Sequence, residues 1–218
     1  MTGSVRVATA AVLVRARAEA HDRSMRSALL IIDIQESFRH RPSWAAVSNP
    51  GIVDTVNPLI DDARARGDLV VWVLHTEPGT GTVFDPAAGD LVRYMDGLEP
   101  RAGEPQLVKT SANCFTTTGL QQLLTTEGIR HLIVTGIQTE LCCETTTRVA
   151  GDLGYDVTYV TEATATFPIA HRDERDLPYD EILASPRTLP TADIIARTEY
   201  ALAGRFATIA TVKEVLAR

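Results

Sequence analysis

The sequence predicts a three-layer α/β/α domain with a central, mostly parallel sheet, and three observations carry that expectation. From Ala28 onward, short β-rich runs alternate with amphipathic segments of helix length. The runs are apolar almost without interruption, as strands covered on both faces are. Glycines follow the helical segments at the positions where helices end, at Gly67, Gly128 and Gly154.

Taken in order, ALLIID (28–33), DLVVWVL (68–74), HLIVTGI (131–137) and YDVTYVT (155–161) read as buried strands. Helices are expected over 51–66, 118–127 and 140–153, with a later one over 191–202 capped by Thr191. FATIA and TVKEVLA then close the chain as a strand and a short helix. Two segments do not fit the alternation: 75–108, rich in Gly and Pro, and 165–190, where charge and Pro mix. Loops of that length inside a compact domain are usually functional or take part in assembly, which makes both candidate lids.

The first 24 residues contain four arginines, no acid before Glu19, and one short apolar stretch around Val7 to Val14. That stretch is too short for a bilayer, and Arg15 interrupts it where the core of an export signal would continue. The expectation is a poorly ordered extension over 1–26, with one folded domain over 27–218 that begins near Ser27.

With 218 residues, a formal charge of -7 and no run of Lys or Arg, the chain lacks the clustered cations that phosphate-backbone binding needs. Neither nucleic acid nor membrane is an expected partner. Three cysteines, two of them adjacent, cannot form a conventional disulfide framework, and a reducing cytoplasm fits them best.

In an open parallel sheet, ligands bind outside the carboxyl ends of the strands. Asp33 ends the first apolar run, Lys109 follows the short stretch QLV, and Cys142 lies just past HLIVTGI at the start of a helix. An acid, an ammonium and a thiol brought together there could form a nucleophile, its base and a charge that holds both. A helix start also offers unpaired N–H groups and the positive end of the dipole, which favour thiolate and lower a thiol pKa. Each residue has an ordinary alternative: a strand-end Asp as a turn former, a solvated lysine, a buried cysteine used for packing.

The surrounding motifs narrow the choice. ALLIIDIQESF has an apolar run, Asp, one residue, Gln, then Phe; LVKTSANCF has Lys, then Asn113 and Phe115; TGIQTELCCETTTRVAGDLGYDV has Gly, two residues, Thr, two residues, Cys. In order and separation these resemble the motifs of the isochorismatase-like cysteine hydrolases, over most of residues 27–167. The resemblance implies the isochorismatase-like hydrolase fold, Cys142 as nucleophile, and Asp33 and Lys109 as its partners. It also implies a cis peptide between Ile137 and Gln138, which would turn the Gln138 N–H, together with that of Cys142, toward one oxyanion. Vicinal helical residues point about 100° apart, so Cys143 is expected to pack rather than react.

The implied activity is hydrolysis of a small-molecule amide or carbamoyl-type C–N bond through a thioester. A small-molecule substrate and a homo-oligomer come with it. Substrate contacts are expected from Phe38, Trp44, His75 and Phe115 and from the two lid segments. Nicotinamidase-type relatives bind a divalent ion through an Asp-x-His pair, which this chain lacks, and its five histidines never form a His-x3-His pair. No metal or other cofactor is therefore expected. Vinyl ether hydrolysis of the isochorismatase type is the alternative reaction. A thiol sensor or a binding module built on the Cys142–Cys143 pair is the alternative class, and it leaves Asp33 and Lys109 unexplained.

Overall fold

A computed structural model describes residues 26–218. The extension expected over 1–26, and with it the reading of its short apolar stretch, lies outside the described residues except for Arg26, whose Nε donates to the Gly67 carbonyl at 2.6 Å.

The described strands are β1 (Ser27–Ile32), β2 (Leu69–His75), β3 (Gln106–Lys109), β4 (His131–Ile137), β5 (Asp156–Ala165) and β6 (Thr208–Ala210). They form one six-stranded sheet in the order β3-β2-β1-β4-β5-β6, and every pairing is parallel. The helices are α1 (Glu36–Arg39), α2 (Ile52–Arg66), α3 (Leu120–Thr126), α4 (Glu144–Asp152), α5 (Tyr179–Ala184), α6 (Thr191–Leu202) and α7 (Val212–Leu216). A 3-10 turn at Pro42–Ala46 and a π-helical turn at Thr139–Cys143 complete the set.

The apolar runs are buried on both sides because their alternate residues enter different cores. Leu29, Ile31, Val70, Trp72 and Ile133 face one cluster with α2; Ala28, Leu30, Ile32, Val71 and Val73 face the other with α3 and α4. Strand order turns back between β1 and β4, which carry the chain to opposite sides of the sheet. The crevice outside their carboxyl ends is the switch point where ligands bind in such folds.

Local sequence explains most of the element boundaries. Gly67 ends α2 in the left-handed conformation at φ 73°, as its position predicts. Thr191 does not cap α6: Pro190 holds the cap position and Thr191 is the first helical residue. Strand β5 runs four residues past the expected 161, through TEATA, with a register irregularity opposite Val134 and Gly136. QLV proves to be an edge strand whose last residue is Lys109 itself. The expected helix over 140–153 is two pieces, the π turn and then α4.

At Gly136 the backbones of β4 and β1 approach closely. A Cβ there would lie 2.0 Å from the Ile32 carbonyl oxygen, and φ is 136°. Only glycine fits at that point beside the end of β1.

Candidate active site

Asp33 follows β1 in a left-handed conformation, φ 54°, that Asp tolerates better than most residues. Its N–H donates to the Val73 carbonyl at 2.9 Å, so the turn is pinned to β2. Gln35 completes the attachment: its amide accepts from the His75 N–H at 2.8 Å and donates to the His75 carbonyl at 3.0 Å. Lys109 reaches the same point from the end of β3, and its carbonyl accepts from Thr76 N–H at 2.9 Å.

The three side chains meet. Lys109 Nζ lies 2.7 Å from Asp33 Oδ2, with both side chains sealed from solvent. It also donates to Cys142 Sγ at 3.4 Å and to the Ser111 carbonyl at 3.1 Å. The Asp33 contact is close but poorly aligned as a hydrogen bond, and both carboxylate oxygens lack a well-directed donor among the described residues. The pair is thus held by charge more than by hydrogen-bond geometry.

Burial pushes the Asp33 carboxyl above its ordinary pKa, and the Lys109 ammonium offsets only part of that cost. For Lys109 the balance runs the other way. Burial alone would lower it, but the favourable field of its neighbours, the Asp33 carboxylate foremost, outweighs burial and holds it above the ordinary lysine value.

Cys142 departs from the sequence expectation of a depressed thiol pKa. Burial, followed by the nearby Asp33 charge, pushes the thiol up, with Lys109 opposing. The sulfur is enclosed rather than exposed to the field of a helix end, and the turn that carries it is π-helical. The nearby ammonium does not offset lost hydration together with the opposing charge of the Asp33 carboxylate.

The π turn has a second consequence. The Gln138 carbonyl accepts from Leu141 N–H at 3.2 Å and Cys143 N–H at 3.1 Å, passing over the N–H of Cys142. The Ile137–Gln138 peptide is cis, and the Gln138 N–H makes no hydrogen bond among the described residues. Cys143 is fully buried in the core shared by α3 and α4, and burial drives its thiol well above the ordinary value.

The expected substrate contacts divide. His75 stands with the cluster, its Nδ1 3.4 Å from Lys109 Nζ and its Nε2 3.4 Å from Glu77. Phe38 and Trp44 lie together around Phe167, their ring centroids 5.8 and 6.2 Å from its own. Phe115 is not with them. Its ring packs 6.0 Å from Tyr155, which precedes β5 at the amino end of the sheet, so it faces away from the crevice.

Sequence reading missed several residues that shape this site. Gln35 was visible as the amide two residues after Asp33, but its hold on His75 depends on β2. Phe84 packs on Phe38 at 5.0 Å and on His75 at 5.7 Å, from a segment without regular structure. Glu140, raised above its ordinary pKa by burial, accepts from Thr166 Oγ1 at 2.6 Å and from Gln138 Nε2 at 3.4 Å. Only its place two residues before Cys142 hinted at a role.

No helix among the described residues is long and apolar enough to cross a membrane. The sequence over residues 27–176 matches the family model for the isochorismatase domain. The isochorismatase family protein YrdC of Bacillus subtilis (strain 168) is 29% identical over 196 residues, covering 88% of this chain and 95% of its own length. Ureidoacrylate amidohydrolase RutB of Klebsiella pneumoniae is 27% identical over 172 residues, covering 63% of this chain and 72% of its own. The crystal structure of an isochorismatase from Pseudomonas putida KT2440 superposes with a TM-score of 0.74 at 31% identity, covering 88% of this chain and 90% of that one. With that family model matched over residues 27–176 and an all-parallel sheet, this chain belongs to the isochorismatase family of hydrolases.

Proposed function

We propose that the chain hydrolyses a small-molecule amide or carbamoyl C–N bond, with Cys142 as nucleophile, Asp33 as general acid and base, and Lys109 as the charge that holds both. The observation that carries this reading is the sealed Asp33–Lys109 pair with Nζ within hydrogen-bonding reach of Cys142 Sγ. Burying two charges costs several kcal/mol per ion before their attraction is counted, so a fold that keeps them beside a thiol has a chemical use for them. RutB, by its name an amidohydrolase, places C–N hydrolysis within the family.

At rest the cluster is carboxylate, ammonium and thiol, because the same burial that raises Asp33 raises Cys142 and Asp33 is the stronger acid of the two. The thiol gives its proton to Asp33 as the sulfur bonds to the substrate carbonyl carbon. A raised carboxyl pKa helps, since it makes Asp33 a better base. The oxyanion is received by the N–H groups of Gln138 and Cys142, each worth about 3 kcal/mol in hydrolases of this kind. The C–N bond then breaks, Asp33 returns the proton to the departing nitrogen, and a thioester remains. Water adds to the thioester while Asp33 takes its proton; the C–S bond breaks, and that proton goes back to sulfur. The products are the acid and ammonia or an amine, with every catalytic group restored.

A thiol sensor is the weaker reading, because all three cysteines are free and buried and both neighbouring thiols are held protonated. The deciding comparison is ammonia release from a panel of small amides and carbamoyl compounds. Cys142→Ser is expected to abolish it and Cys143→Ser to retain most of it; equal loss in both overturns the assignment.

A further inference from the structure

Beside Gln138 lies a cavity of about 480 Å³, walled by Phe167, Ile169 and Tyr179 and carrying Arg41 and Arg175. That volume suits one small ligand. On one side of it is the 3-10 turn after Arg41, on the other the segment that leads into α5. Tyr179 Oη joins the two by donating to the Ser43 carbonyl at 3.4 Å.

Two acids of that segment, Asp173 and Glu174, are already engaged, while Asp176, beside Arg175, makes no ion pair among the described residues and does not line the cavity. Asp173 pairs with Arg187 at 2.8 Å and with Arg172 at 3.5 Å, and Glu174 pairs with Arg187 at 3.0 Å and accepts from Ser185 Oγ at 2.6 Å. Arg175, between Glu174 and Asp176, makes no ion pair among the described residues, and Arg41 makes none either, lying over the Phe167 ring with Cζ 5.9 Å from its centroid. The charged residues that line the cavity are these two arginines, so its wall is cationic on a chain of formal charge -7.

We infer that Arg41 and Arg175 hold an anionic group of the substrate, a carboxylate, while the scissile carbonyl points past Gln138 toward Cys142. This rests on the hydrolase reading above and narrows its substrate to amides or carbamoyl compounds that carry a carboxylate. Guanidinium suits the task because its fork of N–H donors matches a carboxylate's two oxygens and stays charged at any working pH. Phe167 and Ile169 supply an apolar wall for the carbon chain between the two ends.

Binding and turnover are measured separately, so that the two ideas fail separately. Calorimetric titration with succinate and with butyrate, which differ by one carboxylate, reads the anion site without any reaction. The expected result is that wild type prefers succinate by about tenfold or more and that Arg41→Met and Arg175→Met each remove most of that preference, with Lys at either position restoring part of it. Equal binding of the two acids by wild type, or an undiminished preference in both Met variants, overturns the anion site. Ammonia release from succinamate and butyramide tests the hydrolase reading. Succinate preference without turnover of either amide keeps the site and counts against the amidase; turnover of both amides at equal efficiency, with no succinate preference, does the reverse.

Discussion

Replacing Lys109 with Met tests the physical core of the account, because it removes the ammonium while filling much of the same space. Asp33 then stands sealed from solvent with no cation beside it. Removing one partner of a buried pair costs about 3–5 kcal/mol if the other keeps its charge. Asp33 can escape that cost by staying protonated. Its folded-state pKa already lies above the ordinary 3.8 because of burial, and losing Lys109 raises it further. A carboxyl with a raised folded pKa contributes stability that is complete below the unfolded pKa and is lost as pH rises through the folded one.

The magnitude follows from that sign. At pH 5, about 1.2 units above 3.8, holding the proton costs about 1.6 kcal/mol, at about 1.36 kcal/mol per unit. At pH 8 the same route would cost more than the unpaired charge, so the loss levels off at about 3–5 kcal/mol. Urea unfolding of wild type and Lys109→Met at both pH values measures it, with Asp33→Asn/Lys109→Met as the control that has no buried charge. The variant is expected to lose clearly more stability at pH 8 than at pH 5, and the control to lose that pH dependence. A loss equal at both pH values and unrelieved by Asn at position 33 would refute the reasoning.

Three further outcomes follow from the same geometry. Because turnover needs Asp33 ionised and burial raises its pKa, kcat/KM should fall on the acid side with a midpoint above 3.8; a pH–rate profile checks this, and a midpoint at or below that value contradicts it. Asp33→Asn should reduce kcat/KM by about 10²–10⁴-fold in steady-state assays while leaving the far-UV spectrum intact. Gly136→Ala should destabilise the fold by on the order of 3 kcal/mol or prevent folding, since its Cβ would lie 2.0 Å from the Ile32 carbonyl oxygen; the urea midpoint reads it, and a near-neutral effect would mean the central strands can separate there.

Much of the frame was legible because burial on two faces leaves a continuous apolar signal. HLIVTGI marks β4 at both ends, and β1 and β2 fall within a residue of expectation. The far half of β5 was not legible, since TEATA has the composition of a polar loop and becomes strand only because β4 lies beside it. Lys109 read in isolation as a surface lysine. It is fully buried because Asp33, 76 positions away in the chain, supplies the charge that lets it stay there.

The thiol shows the limit most clearly. Sequence placed Cys142 past the right strand, but the sign of its pKa shift depends on enclosure and on the distance to a carboxylate, and neither is local. The direction of Phe115 likewise depends on Tyr155, brought near by the sheet. Arg41 and Arg175 share no motif and meet only around the cavity beside Gln138.

The central claim is that the Cys142 sulfur becomes covalently bonded to a substrate acyl or carbamoyl group. Intact-mass and peptide mass spectrometry after rapid acid quench of the enzyme with small amides and carbamoyl compounds tests it directly. The account predicts a mass increase equal to the acyl group, confined to the peptide at Cys142 and absent from Cys142→Ser. Turnover of the same compounds by Cys142→Ser, or an adduct on Cys143 instead, would contradict it.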